Sequence, residues 1–425
     1  MPATEAFDVV VAGGGPGGAV TAARLAQKGR RVLVLERDVF PRFHLGESLL
    51  PGSLVVLEAL GLLPEMERRF LRKPGAVFHD SHTDRTARFD FADAFTPKFP
   101  YAYQVERAEF DALLLTHAAV QGADVRHRWS VSRLRLEGSC AVGVEATNAE
   151  GEAITIDARV VIDATGRDAL TARSLRSTER IPSLDTTALY AQWSGASREE
   201  GVRAGDFHLV LLGDESGGPA APPMGWFWFI PFKDGRTSVG VAASRAWMKR
   251  HAGEDPPALY ARAIAESKVA SRFLEGATQL WPARATADFS FRVRDLTGDG
   301  WLAVGDAGGF IDPLFSTGAH LAMHGGFHAA DAVDAALTAG DVTRPRFVAW
   351  ESSVRSGADI FLNIVESFYE GVLSRIMFAD KPHPYLRHVI TSLLAGNVFD
   401  DGARWLPDAR VRMSRPALAS MLRDA

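Results

Sequence analysis

A glycine-rich turn between an apolar strand and a helix, near the start of the chain, limits its fold more than any other feature. Phe7 to Ala12 is a β-branched apolar run, Gly13-Gly14-Gly15-Pro16-Gly17-Gly18 follows, Ala19 to Gln27 reads as a small-residue helix, and Val32-Leu33-Val34-Leu35-Glu36 reads as a second strand. In such a unit Gly13 permits the tight turn, Gly15 lets backbone N–H groups approach a pyrophosphate, and Gly18 lets the helix lie against the strand. The positive end of the helix dipole then faces the phosphates. Glu36 stands where a carboxylate bonds a ribose hydroxyl. The chain is therefore predicted to be α/β, with a Rossmann-like unit that binds a dinucleotide.

At 425 residues the chain is long enough for two or three packed units. Its 47% hydrophobic and 23% charged residues are those of an ordinary globular protein. The net charge of −5 is spread along the chain, and no basic stripe is interleaved with aromatics, so nucleic acid is not expected as a partner. A single cysteine, Cys140, excludes an internal disulfide and suits a reducing compartment. No stretch approaches ~18 uninterrupted apolar residues, and the first residues lack a basic region followed by an apolar run. A cytoplasmic location with no membrane span is expected.

Gly225 to Pro231 reads Gly-Trp-Phe-Trp-Phe-Ile-Pro. On extended backbone, side chains repeat every second residue, so Trp226 and Trp228 share one face while Phe227 and Phe229 take the other. Pro231 marks where ladder pairing stops or meets an edge. Alone, such a block is core. Beside a nucleotide site it becomes a wall of two rigid surfaces.

Two further blocks end apolar strands in small polar turns: Val160-Val161-Ile162-Asp163-Ala164-Thr165-Gly166 and Trp301-Leu302-Ala303-Val304-Gly305-Asp306-Ala307. Asp306, at a strand end, is placed to accept a hydrogen bond from a ribityl hydroxyl, although Asp is also a common turn residue. With the glycine turn, and with Arg107 in Val105-Glu106-Arg107-Ala108-Glu109-Phe110-Asp111, they resemble the FAD-binding fold of the para-hydroxybenzoate hydroxylase type across most of residues 5 to 345. Those hydroxylases usually carry Asp-Gly in the middle block, where this chain has Asp163-Ala164-Thr165-Gly166. Four other segments point to a different branch: His44-Leu45-Gly46-Glu47-Ser48-Leu49-Leu50-Pro51, Lys73 in Arg72-Lys73-Pro74-Gly75-Ala76-Val77-Phe78, the Trp-x-Trp-x-Ile-Pro block, and Asp312-Pro313-Leu314-Phe315-Ser316-Thr317-Gly318. Together they resemble the flavin-dependent halogenases, and most closely the compact members that act on carrier-bound pyrroles or on phenols.

The resemblance implies FAD as cofactor, chloride or bromide as co-substrate, and a halide held by the amides of Thr317 and Gly318, with Gly318 also near the flavin. A helix N-terminus binds anions without a side-chain cation, so the Ser316-Thr317-Gly318 turn suits that task. Ser316 or Thr317 would equally serve as an ordinary N-cap. Reduced flavin and O2 oxidise halide to hypohalous acid, which must be held and aimed. Lys73 is the candidate, either as an ammonium that polarises hypohalous acid or as an amine that forms a haloamine. Trp226 and Trp228 would keep the flavin's oxygen from the substrate ring and exclude water. Glu47 is a candidate base with an equally good structural reading.

Candidate pocket residues are Tyr190, Gln192 and Phe207, on alternating strands, and Phe368 and Tyr369 near the C-terminus. A small aromatic substrate, free or borne by an acyl or peptidyl carrier protein, is the expected partner. Arg410, Arg412, Arg415 and Arg423 would meet an acidic carrier or simply be solvated. With no second nucleotide fingerprint, reduced FAD is expected from a separate flavin reductase. His320, His324 and His328 fall on one helix face but lack a carboxylate or Cys at ligand spacing, and no metal is expected. The predicted organisation is a discontinuous FAD-binding domain (1–80, 101–180 and 280–345), an inserted antiparallel sheet domain on the substrate side (181–280, with 81–100), and a helical tail (346–425). Gly213 to Pro223 reads as a loop before the Trp strand. A single-component flavin monooxygenase would share the FAD motifs but have no use for Lys73 or the Trp wall. A reductase of prenyl chains would share the glycine turn and need a long apolar cleft, and a non-catalytic flavin-binding relic would not need Lys73 or either Trp.

Overall fold

Strand Glu5–Ala12, apolar along its inner length, takes the centre of a parallel sheet where both faces can be covered. The computed structural model describes residues 5–81, 83–95, 97–213, 222–287, 290–381 and 383–399. Ala153–Asp163 and Val32–Glu36 flank the central strand, and Trp301–Ala303 and Asp124–His127 extend the sheet outward, all parallel. Trp129–Glu137 and Cys140–Asn148 form an antiparallel extension on Ala153–Asp163.

Helix Pro16–Gln27 crosses one face of this sheet. Its first residue is a proline, whose fixed φ is preset for a first helical turn. Helix Thr317–Ala339 packs directly on it. A Cβ on Gly326 would lie 2.5 Å from the Gly17 carbonyl oxygen, so glycine is required for the two backbones to come so close. Thr21 donates its hydroxyl to the carbonyls of both Gly17 (2.7 Å) and Gly326 (3.0 Å). Farther along, Arg24, Lys28 and Arg30 pair with Asp331 and Asp334.

A second sheet runs in the order Thr278–Gln279, Thr186–Ser194, Arg236–Ser244, Gly225–Pro231, Phe207–Leu212, Gly75–His79, Thr86–Asp90. It is antiparallel with one exception, the parallel pairing of Phe207–Leu212 with Gly75–His79. Gly75–His79 was expected in the nucleotide-binding unit. It is buried at every position, and the second sheet supplies partners on both of its edges. The alternation expected of the Trp strand is present. Trp226 and Trp228 face the main core, while Phe227 and Phe229 pack into a separate core with Trp247 and Tyr260 from the helices behind.

Helices Val348–Tyr369, Val372–Met377 and Pro384–Leu394 complete the described chain. Arg410, Arg412, Arg415 and Arg423 lie outside the described residues, as do residues 214–221 of the loop expected before the Trp strand. Among the described residues, no helix is long and apolar enough to cross a membrane.

The Trp strand needs a partner with no side chain at one point. Gly240 sits opposite Trp228 in register, and a Cβ there would lie 2.2 Å from the indole ring. Gly240→Ala should displace the indole and lower stability by about 1–3 kcal/mol. The expected observation is an earlier denaturation midpoint with an altered near-ultraviolet circular dichroism signal; a wild-type midpoint and signal would contradict it.

Candidate active site

One cleft of about 1140 Å³ runs from the glycine turn to the Trp strand. At its polar end, Gly13 has φ +105° and a Cβ there would meet the Ala164 carbonyl oxygen at 2.3 Å, while a Cβ on Gly18 would lie 2.0 Å from the Gly13 oxygen. Gly15 is different: the nearest atom to its hypothetical Cβ is an Arg42 nitrogen at 3.8 Å, which leaves open space over the helix N-terminus. The Glu36 carboxylate lines the cleft and accepts the Gly14 N–H (2.6 Å) and the Asp38 N–H (2.8 Å).

Arg107 lines the same cleft, gripped by Asp111 through two hydrogen bonds (2.7 and 2.9 Å) and donating to the Leu45 carbonyl (2.6 Å). Asp306 also lines it, and burial pushes its carboxyl up to about 6, against the pull of Arg107 and Arg167. Asp163 is not a cleft residue. Its oxygens accept from Thr165 and from the Thr171 N–H, which organises the turn after its strand. Open space over the helix N-terminus at one end, the Asp306 carboxyl midway and aromatic surface at the other end fit FAD.

At the aromatic end Trp226 and Trp228 line the cleft with ring centroids 5.8 Å apart, joined by Tyr190 and Phe207. Lys73 is one layer behind. It is 2% exposed, donates to Ser48 Oγ (2.8 Å) and the Leu49 carbonyl (3.0 Å), and lies 5.2 and 5.3 Å from the ring centroids of Phe91 and Phe207. Ser48 and Phe207 thus touch the lysine and also line the cleft. Burial lowers the Lys73 pKa to about 7, opposed by Asp206. Glu47, next to Ser48, is also buried but turns to the cleft. Its carboxyl is pushed up to about 7 by burial, against the hydrogen bond it accepts from Ser238 Oγ (2.6 Å). The Ser238 hydroxyl in turn accepts the Trp228 indole N–H (3.3 Å).

The turn expected to hold a halide starts helix Thr317–Ala339, and Ser316, Thr317 and Gly318 line the cleft. Neither reading of Ser316 or Thr317 as a side-chain cap holds, because no side chain caps this helix. Its first-turn amides have no partner within the helix. Phe315 and Ser316 both have left-handed backbone, φ 64° and 59°, rare for residues with side chains.

Three expected pocket residues do not line the cleft. Gln192 is buried and accepts from Arg236 Nη1 (2.9 Å). Phe368 packs edge-on against Phe315, with centroids 5.8 Å apart. The Tyr369 hydroxyl accepts the Trp226 indole N–H (2.9 Å) and donates to Asp312 (3.1 Å). The three helix histidines pack among themselves and against neighbours: His320 meets Ser53 (3.3 Å) and His324 stacks on Phe399 with centroids 3.7 Å apart. Among the described residues, no group of three His, Cys, Asp or Glu side chains is gathered as metal ligands are. Ser238 and Gly240 escaped the sequence reading, although a signal was there. Thr237 to Ala242 alternates small residues with β-branched ones, as in a strand with one face against something bulky.

Glycine turn, cleft and aromatic end define a dinucleotide-binding fold with two indoles at the far end of its cleft. The chain belongs to the flavin-dependent halogenase family, whose tryptophan halogenase model matches residues 8–94 and 78–372, and it is an enzyme of that class. It is similar to a tryptophan 2-halogenase of Chondromyces crocatus, 33% identical over 377 residues that cover 87% of this chain and 69% of the relative. It is also similar to the 1H-pyrrole-2-carbonyl-(peptidyl-carrier protein) chlorinase of Pseudomonas fluorescens, 26% identical over 418 residues that cover 92% of this chain and 90% of the relative. The solved structure of a flavin-dependent brominase superposes with a TM-score of 0.85 at 25% identity, covering 99% of this chain and 100% of the other.

The buried lysine gives a pH-dependent prediction. Its folded pKa of about 7 lies below the ordinary value of 10.5, so between those values the unfolded chain binds more protons and stability rises with pH. Lys73→Met removes that term. Between pH 7 and 9, wild type should gain stability relative to the variant, by up to about 1.4 kcal/mol per pH unit, measured from denaturation midpoints. A difference that does not change with pH would refute the buried, low-pKa lysine.

Proposed function

We propose that the enzyme halogenates an electron-rich aromatic ring, a phenol or a carrier-bound pyrrole, with Lys73 aiming the halogen. Reduced flavin, when bound in the cleft, would supply two electrons and the halide two more, so that one oxygen atom of O2 would leave as water and the other would join the halogen as hypohalous acid. The observation that carries this reading is the position of Lys73: buried beside the cleft, yet separated from it by Ser48 and Phe207.

Each residue then has a defined task. The amides of Thr317 and Gly318 hold chloride or bromide at the helix start. Gly13, Gly15, Gly18, Glu36, Arg107 and Asp306 hold the dinucleotide. Trp226 and Trp228 keep the flavin end and the substrate apart and exclude water. Lys73, with a pKa of about 7, is able to act as an ammonium donor to hypohalous acid or as the amine of a haloamine. The ring then takes the halogen and loses a proton, and the hypohalous oxygen leaves as water. Glu47 faces the cleft, which suits exchange of protons with water formed there rather than removal of the ring proton.

The near-complete overlap in length with the pyrrolyl-carrier chlorinase supports a substrate of the carrier-bound or small phenolic kind. Reduced FAD would come from a separate reductase.

The test combines purified protein, FAD, a flavin reductase, NADH, O2 and bromide with a panel of phenols and pyrrolyl-carrier substrates, read by mass spectrometry. A bromine isotope doublet is expected, reduced at least about 100-fold in Lys73→Ala. A gain of one oxygen without bromine, with NADPH oxidised and no reductase present, would make the protein a monooxygenase.

A further inference from the structure

We infer that Tyr369 and Asp312 are positioning residues that tie the Trp226 indole to the turn bearing Thr317 and Gly318. The inference rests on the proposed halide role of that turn. An indole N–H only donates, so Tyr369, 2.9 Å away, must accept from it and give its own hydrogen to Asp312. Asp312 is fully buried and also accepts the Leu314 N–H at 2.9 Å. The chain of donors therefore runs one way, from the wall through the end of helix Val348–Tyr369 into the segment that precedes the halide turn.

That segment needs an external hold. Leu314 is followed by Phe315 and Ser316, two successive residues in left-handed backbone, a conformation that persists only where the surroundings impose it. Asp312 restrains it from one side, and the Phe315 ring is packed against Phe78 and Phe368. The Tyr369 hydroxyl that holds the indole thus also holds Asp312, at the start of that segment. The wall and the first helical amides form one unit, and a loss of the Tyr369 hydroxyl would be felt at the halide.

Tyr369→Phe keeps the ring and its edge contact with Phe368 and removes only the hydroxyl, so the indole N–H loses its acceptor and Asp312 loses one of its donors. Bromide affinity is measured on the FAD-loaded protein, from the bromide-dependent rise in unfolding temperature. The variant should bind bromide about tenfold more weakly, with FAD affinity changed less than about twofold, and should release a larger share of consumed O2 as hydrogen peroxide. Asp312→Asn, which keeps a carbonyl acceptor for Tyr369, should retain most of the bromide affinity. Trp226→Phe combined with Tyr369→Phe should weaken bromide no further than Tyr369→Phe alone. Unchanged bromide affinity in Tyr369→Phe, or fully additive effects in the double variant, would overturn the coupling. Wild type that binds bromide and brominates nothing would sink the halogenase reading while leaving the coupling to stand or fall on the binding data; wild type that binds no bromide would sink both.

Discussion

The close crossing of helices Pro16–Gln27 and Thr317–Ala339 sets the geometry on which the rest of the site depends. Glycines at 17 and 326 bring the two backbones together, the Thr21 hydroxyl bridges them, and ion pairs from Arg24, Lys28 and Arg30 fasten their far ends. Both helices begin at the same cleft. Their N-termini thereby border one space, the first at the glycine turn and the second at Thr317, and a helix N-terminus attracts anions. Close backbone packing, bridged by Thr21, thus places both N-termini.

The Trp wall is held from behind in a comparable way. Each indole N–H meets a hydroxyl, and each hydroxyl meets a carboxyl: Trp228 to Ser238 to Glu47, and Trp226 to Tyr369 to Asp312. Both carboxyls are buried and raised to about 7. A polar N–H without a partner in such surroundings would be costly, and these two pairs satisfy it while fixing the plane of each ring. Gly240 provides the room and Ser238, two residues earlier on the same strand face, provides the bond.

Much of this was legible because it is local. The glycine turn and the alternation from Trp226 to Phe229 are short-range patterns, and the motif around Lys73 is contiguous. What escaped was set by long-range packing. Gly75–His79 reads as an apolar strand from its residues, but its pairing with Phe207–Leu212 is not encoded nearby. Phe368 and Tyr369 are aromatic and close to the site, as expected, yet helix Val348–Tyr369 presents them to Phe315 and Asp312 rather than to the cleft. Gln192 lies two residues from the cleft-lining Tyr190, but its amide is engaged by Arg236. Periodicity tells which residues share a face; it does not tell what stands opposite that face.

Glu47 and Ser48 show what a single step along extended backbone accomplishes. The Glu47 carboxyl is bonded to Ser238, and the Lys73 amine is bonded to Ser48 and Leu49. Burial raises the Glu47 carboxyl and lowers the Lys73 amine, each to about 7. Here adjacent residues of one segment serve opposite sides, Glu47 towards Ser238 and the cleft, Ser48 towards the lysine. Spacing, rather than composition, keeps the carboxyl and the amine apart. A one-residue insertion between Glu47 and Ser48 would leave every side chain present and still turn the carboxyl to the side that holds the Lys73 amine.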